Sequence, residues 1–174
     1  MNLLCFECCR STDAEFPQEQ SLRVEWLEAF PTVGDLVSMG GDRDWEIIEL
    51  YRYEATGLGS QVGAVYFAQV NPEDQPVPPI SEWTSTQMSS DKPFVSFSAV
   101  GEPELEIGYH CLDIPPRIGE RLITGEPTDH PTQMKVVELP WKVDRVDTYQ
   151  PLREAPYSNI FICWCVQTKE AIAA

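Results

Sequence analysis

Long apolar runs are missing from this 174-residue sequence. No stretch approaches the roughly 18 to 20 apolar residues that a membrane-spanning helix needs, which argues against membrane insertion. The first nine residues also lack the basic region and the apolar length of a secretion signal. We therefore expect a cytoplasmic protein.

Motifs that carry chemistry are scarce as well. The sequence has no glycine-rich phosphate loop, no nucleophile elbow and no histidine-rich metal motif, and its only histidines are His110 and His130. His110 precedes Cys111, but neighbouring residues of a strand point to opposite faces, so the two cannot form a nucleophile and base pair. We expect a protein that is not an enzyme and has no cofactor.

Basic residues are few, with 12 Lys and Arg against 28 Asp and Glu and a formal charge of −16. Such a chain repels phosphate backbones, which excludes nucleic acid as an expected partner. The charge can simply maintain solubility. The alternative, an acidic face that binds a basic partner protein, stays open.

Helical periodicity is rare, whereas short alternating segments rich in Val, Ile, Tyr, Phe and Trp recur between Gly, Pro and Asp turns. This pattern predicts an all-β fold. The alternation breaks at Ile47-Ile48, which predicts a bulge or strong coiling in that strand. Met134 to Leu139 is predicted to extend a long hairpin into the strand that begins at Trp141.

One segment returns later in altered form, which indicates two copies of a unit. A shift of 85 residues aligns five positions: Pro31, Val33, Gly34, Asp35 and Val37 with Pro116, Ile118, Gly119, Glu120 and Leu122. A shift of 96 residues aligns four more: Trp45, Ile47, Leu50 and Tyr53 with Trp141, Val143, Val146 and Tyr149. Because the shifts differ by 11 residues, the second copy carries an insertion of that length, which we place in a loop.

The repeat predicts a division of the chain into four parts: a flexible N-terminal arm at 1–20, a first unit at 21–70, a proline-rich linker at 71–104 and a second unit at 105–170. Within the linker, residues 94–100 alternate weakly and are a candidate strand for either unit. Trp83 is too large and apolar to be left in solvent, so we expect it to pack on one of the units.

A Gly-acid turn, a strand, a loop and a strand that opens with Trp resemble the pattern of Src-homology-3-like small barrels. The resemblance covers 22–70 and 105–166 and implies two tandem small β-barrels related by duplication. Peptide-binding members of this superfold use aromatic grooves, which implies candidate binding residues here: Trp45, Tyr51, Tyr53, Tyr66, Trp83, Trp141 and Tyr149. The superfold hosts many functions, so the resemblance alone names none. The carboxylates of Asp35 and Glu120 are expected to cap backbone N–H groups of their own turns.

The six cysteines are the remaining candidates for chemistry. Without an export signal we expect reduced thiols rather than disulfides. Cys5-x-x-Cys8, with Cys9 beside it, has the spacing of half a zinc site but lacks two further ligands.

We expect a protein-interaction or assembly module whose oligomeric state stays open. A metal-dependent or redox-sensitive regulator or enzyme that uses these cysteines and a histidine is the alternative.

Overall fold

The computed structural model describes residues 1–10, 22–57, 62–83, 92–105, 107, 114–130 and 132–168. Its regular structure is nine β-strands and one short 3-10 turn at Ile80–Glu82, so the all-β prediction is confirmed. The strands are β1 (Asn2–Cys8), β2 (Leu22–Leu27), β3 (Leu36–Ser38), β4 (Asp44–Ala55), β5 (Val65–Pro72), β6 (Phe94–Ala99), β7 (Arg121–Pro127), β8 (Met134–Pro151) and β9 (Ile160–Gln167). The described part of the chain holds no helix with the length and apolar character of a membrane span.

The chain forms two compact units that alternate along the sequence. The first contains Met1–Lys92 and Tyr149–Asn159, and the second contains Pro93–Thr148 and Ile160–Ala174. This division differs from the linear one predicted above, because the first unit includes the N-terminal strand and also a segment that follows most of β8. The end of β8 therefore belongs to the first unit.

In the first unit, β1 lies between β2, which is antiparallel to it, and β5, which is parallel. β5 pairs antiparallel with β4. On the other side of β4, its start pairs with β3 and residues 53–55 pair with 149–151. The β4 register shifts between Ile47 and Glu49, so the predicted bulge is confirmed.

Residues 2–8 form the buried strand β1, so the prediction of a flexible N-terminal arm is wrong for this stretch. Six of its seven residues are buried. The amides of Leu3 and Cys9 also donate to the carbonyls of Ala64 and Val70, both at 2.9 Å. A strand that is covered on both faces has a nearly continuous apolar sequence rather than an alternation of apolar and polar residues. For this reason the alternation pattern did not identify β1 as a strand. Residues 11–20 of the predicted arm lie outside the described residues.

In the second unit the strands lie in the order β7, β8, β9, β6. β7 is antiparallel to β8, and β6 is parallel to β9. The first unit has the strand order β3, β4, β5, β1, in which β3 is antiparallel to β4 and β1 is parallel to β5, and adds β2 beyond β1. In each unit the described pairings end at outer strands that are not joined to each other, so neither sheet closes into a barrel within the described residues.

Each unit has a separate apolar core. In the first, Phe6, Trp45 and Ile47 are fully buried members of a cluster on one face of the sheet. In the second, Leu122 and Val143 are buried members of a cluster that also includes Cys163 and Cys165. Burial raises the pKa of the Cys163 thiol to about 12 and that of Cys165 to about 11. None of the five cysteines that the structure describes forms a disulfide.

The segment 149–159 covers the other face of the first sheet. The Tyr157 ring meets Phe67 edge to face, with centroids 4.9 Å apart. The Tyr53 hydroxyl donates to the Tyr157 carbonyl at 2.8 Å. Arg153 lies over the Tyr51 ring, 4.2 Å from its centroid, and donates to the Leu50 carbonyl at 2.9 Å. The segment thus contributes to the burial of both tyrosines of β4.

A polar network fixes β8 and β9 in the second unit. The indole N–H of Trp164, which is buried, donates to Asp147 Oδ2 at 2.8 Å. The Arg145 guanidinium donates to both oxygens of the same carboxylate, at 3.1 and 3.3 Å. It also lies 5.3 Å from the Trp164 ring centroid. The Asp147 carboxylate therefore accepts hydrogen bonds from a buried indole and from a guanidinium group at the same time.

The predicted linker is only partly a connector. Its first two residues complete β5, and β6 confirms the candidate strand at 94–100 and joins the second unit. Trp83 is half-buried, and its indole N–H donates to the Pro78 carbonyl at 3.0 Å, within its own segment. Residues 84–91 lie outside the described residues.

Candidate functional site

The aromatic residues predicted to bind a partner belong to the cores instead. Five of the seven are buried: Trp45, Tyr51, Tyr53, Tyr66 and Tyr149. Trp83 and Trp141 are half-buried. The prediction of an aromatic binding groove is therefore wrong for the five buried residues, which have no surface to offer a partner.

The bulge in β4 explains why the aromatic residues point inward on both sides. Trp45 and Ile47 precede the register shift and pack into the cluster on one face. The extra residue reverses the alternation, so Tyr51 and Tyr53 follow on the opposite face, where segment 149–159 covers them. A single inserted residue thus makes both faces of this strand apolar and buried.

The N-terminal cysteines do not converge on one site. Cys8 packs into the cluster with Phe6, and in a strand Cys5 points to the opposite face. The described residues contain no group of three or more His, Cys, Asp or Glu side chains placed to hold a metal ion. His130 lies in the described part of the chain and is exposed, whereas His110 and Cys111 fall outside it.

Cys8 and Cys9 interact with each other at the end of β1. A hydrogen bond from the Cys9 thiol lowers the pKa of Cys8, and the same bond raises the pKa of Cys9. The Cys9 sulfur also lies 3.6 Å from Asn71 Oδ1. Both thiols are buried, so a reagent would have to open the end of the strand to reach them.

The Gly-acid turn of the first unit is built from four hydrogen bonds. Asp35 Oδ2 accepts from the Thr32 amide at 2.8 Å, which confirms the predicted cap. The Asp35 amide donates to the Thr32 carbonyl at 3.1 Å and closes the turn. Gly34 then donates to the Ile47 carbonyl at 2.8 Å, and Ile47 donates to the Asp35 carbonyl at 2.9 Å. The turn is therefore held both internally and by β4.

The second unit repeats all four bonds. Glu120 Oε2 accepts from the Arg117 amide at 2.9 Å, and the Glu120 amide donates to the Arg117 carbonyl at 3.1 Å. Gly119 donates to Val143 at 2.7 Å, and Val143 donates to Glu120 at 2.9 Å. The longer Glu side chain caps the same amide as Asp does in the first turn. The two turns therefore hold their side chains in the same way.

Each turn presents an apolar side chain to solvent immediately before its glycine. Val33 is 62% exposed and Ile118 is 67% exposed. Other exposed apolar residues lie nearby in sequence. We define the first-turn patch as Phe30, Val33 and Leu36, and the second-turn patch as Ile114, Ile118 and Ile123. The sequence repeat aligned Val33 with Ile118 but did not predict that they are exposed. An apolar residue in an alternating segment can face either the core or the solvent, and the sequence does not distinguish the two.

The second unit differs by a longer hairpin, as the sequence predicted. In the first unit β3 pairs with β4 over three residues, whereas β7 pairs with β8 from Pro127↔Met134 to Arg121↔Lys142. We call 121–127 and 134–142 the extended hairpin. Beside it lies an open groove of about 510 Å³, whose walls include Ile114, Pro116, Ile123 and Val136. The longer hairpin therefore carries an apolar surface on the second unit.

Comparison with protein-family models, with curated proteins and with solved structures found no match for this chain. The turn patches and the extended hairpin are thus the features from which a function can be argued.

Proposed function

We propose that this protein is a non-catalytic interaction or assembly module of the cytoplasm, built from two tandem copies of one Src-homology-3-like unit. The observation that carries the proposal is the equivalent exposure of Val33 and Ile118 in two turns with the same hydrogen bonds. Two surfaces that share the same turn hydrogen bonds and the same exposed apolar position suit a protein that holds partners in a fixed arrangement.

The first-turn patch supports this role because its three side chains are all large, apolar and more than half exposed. Single exposed apolar residues are ordinary on protein surfaces, but a cluster marks a contact site more often. Covering one such side chain is worth about 1.5 to 3 kcal/mol. The turn itself is held by β4, so little conformational freedom is lost when a partner binds.

Charge indicates which partner fits the first unit. By sequence, this unit contains 17 Asp and Glu and 6 Lys and Arg. The exposed Glu28 precedes the first-turn patch in sequence, and the exposed Asp35 lies between its members Val33 and Leu36. We propose a partner protein that presents apolar side chains bordered by Lys or Arg, since opposite charges speed association and favour the correct partner. Nucleic acid does not fit a surface of this sign.

Affinity capture from the source cells, compared across matched variants, tests the proposal. Val33→Asp places a charge in the centre of the first-turn patch, and Val77→Asp makes the same change at another exposed valine of the same unit. We expect wild type and Val77→Asp to retain the same basic partner and Val33→Asp to lose it by about tenfold or more. Equal capture by all three proteins would exclude the first-turn patch as the docking surface.

A redox-sensitive regulator is the second candidate, and the Cys8-Cys9 pair favours it. The lowered pKa of Cys8 increases the thiolate fraction that reacts with oxidants. Alkylation of the native protein followed by mass spectrometry separates the two functions. Rapid and selective modification of Cys8 would support the regulator, whereas protection of both thiols until the protein unfolds would exclude it.

A further inference from the structure

The extended hairpin has one apolar face that is exposed. Directly opposed residues of an antiparallel pair share a face, and β7 opposes Ile123 to Glu138, Gly125 to Val136 and Pro127 to Met134. Ile123, Val136 and Met134 are 48%, 67% and 65% exposed. These three residues and Pro127 form what we call the hairpin face.

Gly125 lets the hairpin face stay flat. A Cβ at this position would lie 3.0 Å from the Met134 terminal methyl, so the Met134 side chain lies across the glycine. At the base of the hairpin, Arg121 Nη1 and Glu138 Oε2 form an ion pair at 3.0 Å. The face therefore ends in charges that already neutralise each other.

The region around this face is free of net charge, unlike the rest of the molecule. Residues 114–142 contain four basic side chains, Arg117, Arg121, Lys135 and Lys142, and four acidic ones, Glu120, Glu126, Asp129 and Glu138. The whole chain carries −16. Two copies of the chain repel each other over most of their surfaces, but this region adds nothing to that repulsion.

We propose that the hairpin face binds the hairpin face of a second copy of this chain, so that the protein is a two-fold symmetric homodimer. In such an interface the same patch is used by both subunits, and a region with equal numbers of both signs can approach its copy without net repulsion. The groove beside Ile123 and Val136 receives apolar side chains of the second copy. A strongly basic partner gains nothing from a surface without net charge, so it fits the acidic first unit instead.

This inference deepens the proposed function, on which it rests, because it names the partner of the second unit. Since repulsion between two acidic chains opposes the contact, added salt should strengthen the dimer. A contact with a basic partner would weaken in salt. The salt dependence therefore tells the two occupants apart.

Sedimentation velocity of the whole protein over a micromolar concentration series tests the proposal at low and at moderate salt. We expect wild type to dimerise, and to do so more tightly as salt screens the repulsion. Val136→Glu combined with Met134→Glu should raise the dimer dissociation constant at least about tenfold, because both carboxylates would be buried against their copies. Val77→Glu combined with Ile80→Glu, which adds the same two charges at exposed apolar positions of the first unit, should dimerise like wild type.

Two results would overturn the proposal: a wild type that stays monomeric throughout the series, or a dimer that the double variant leaves intact. Circular dichroism of each variant confirms that the sheet is folded, which is expected because the altered side chains are exposed. Partner capture through Val33 does not require the dimer. A wild type that stays monomeric but captures a basic partner would refute only this inference, and a wild type that dimerises but captures no basic partner would refute only the basic-partner proposal.

Discussion

Gly34 and Gly119 make the same backbone hydrogen bond from the same kind of turn. Their amides donate to the carbonyls of Ile47 and Val143 at 2.8 and 2.7 Å, and both glycines have positive φ, +98° and +92°. A Cβ at Gly119 would meet nothing within 4 Å, and one at Gly34 would meet only Glu46 Oε1 at 4.0 Å. Space does not restrict these positions, so any penalty for a side chain arises from the backbone conformation.

Alanine at either glycine should therefore destabilise the protein through strain alone. We expect Gly34→Ala and Gly119→Ala each to lower the free energy of unfolding by about 1 to 2 kcal/mol, the cost of holding a side-chain-bearing residue in the left-handed region. Gly57→Ala is the control, because Gly57 has nothing near its Cβ position and no positive φ. Urea denaturation should show Gly57→Ala equal to wild type or slightly more stable. If all three variants unfold at the same urea concentration, the turns do not require glycine.

The N-terminal strand should be essential to the first unit. Phe6 is fully buried in its core, so Phe6→Ala should cost about 3 to 5 kcal/mol through lost burial and the cavity left behind. Phe30→Ala removes the same atoms from a side chain that is 66% exposed, and it should change stability by only about 0.5 kcal/mol. Denaturant melts of both variants decide the point. Equal stability of the two would show that β1 contributes little.

The carboxylate of Asp147 should stabilise the second unit mainly as a hydrogen-bond acceptor. Asp147→Ala removes the acceptor of the buried Trp164 indole N–H and should cost about 1 to 3 kcal/mol. Asp147→Asn keeps an oxygen at that position and should recover part of the loss. Asp144→Ala, an exposed position on the same strand, provides the control and should be nearly neutral. A loss with Asn as large as that with Ala would indicate that the ion pair with Arg145 dominates.

Alkaline pH should destabilise the second unit through its buried cysteines. Burial raises the pKa of Cys163 from 9.0 to about 12, so between these values the unfolded thiol ionises while the folded one stays neutral. The unfolded state then binds fewer protons, and its stability relative to the folded state rises with pH. Stability should be fully present below pH 9 and should fall by up to about 1.4 kcal/mol per pH unit for this thiol above it.

Cys163→Ala lacks the titrating group, so its unfolding free energy should fall less steeply with pH than that of wild type. Denaturant melts of both proteins at pH 8, 9, 10 and 11 give the comparison. The difference in unfolding free energy at pH 8 is attributed to the cavity that Cys163→Ala leaves. Parallel slopes for the two proteins would exclude Cys163 as a source of the alkaline loss.

Local patterns in the sequence predicted the local parts of this structure. The turn at Pro31 to Asp35, its carboxylate cap and the bulge after Ile47 all depend on residues close to one another in the chain. The long hairpin that begins at β7 likewise depends on residues that are close to one another in the chain. Such features follow from backbone geometry and side-chain alternation within a few residues, which a single sequence contains.

The parts that were not predicted depend on contacts between distant residues. β1 is buried because β5, far along the chain, runs parallel to it, and nothing in residues 2–8 specifies that pairing. Tyr51 and Tyr53 were expected at a binding surface, and the segment around Tyr157 covers them instead. The exposure of Val33 likewise depends on what the rest of the fold leaves uncovered. Sequence alternation tells which residues share a face, but not which face is covered.

The position of 149–159 also governs the order in which the protein can be completed during synthesis. The first unit lacks its covering segment until residue 159 has been made, by which point only β9 of the second unit's strands is still missing. Neither unit therefore becomes complete before residue 159 has been made. A chain truncated after Lys92 would contain Phe67 and Tyr53 without Tyr157, and so would expose an aromatic surface that the whole protein covers.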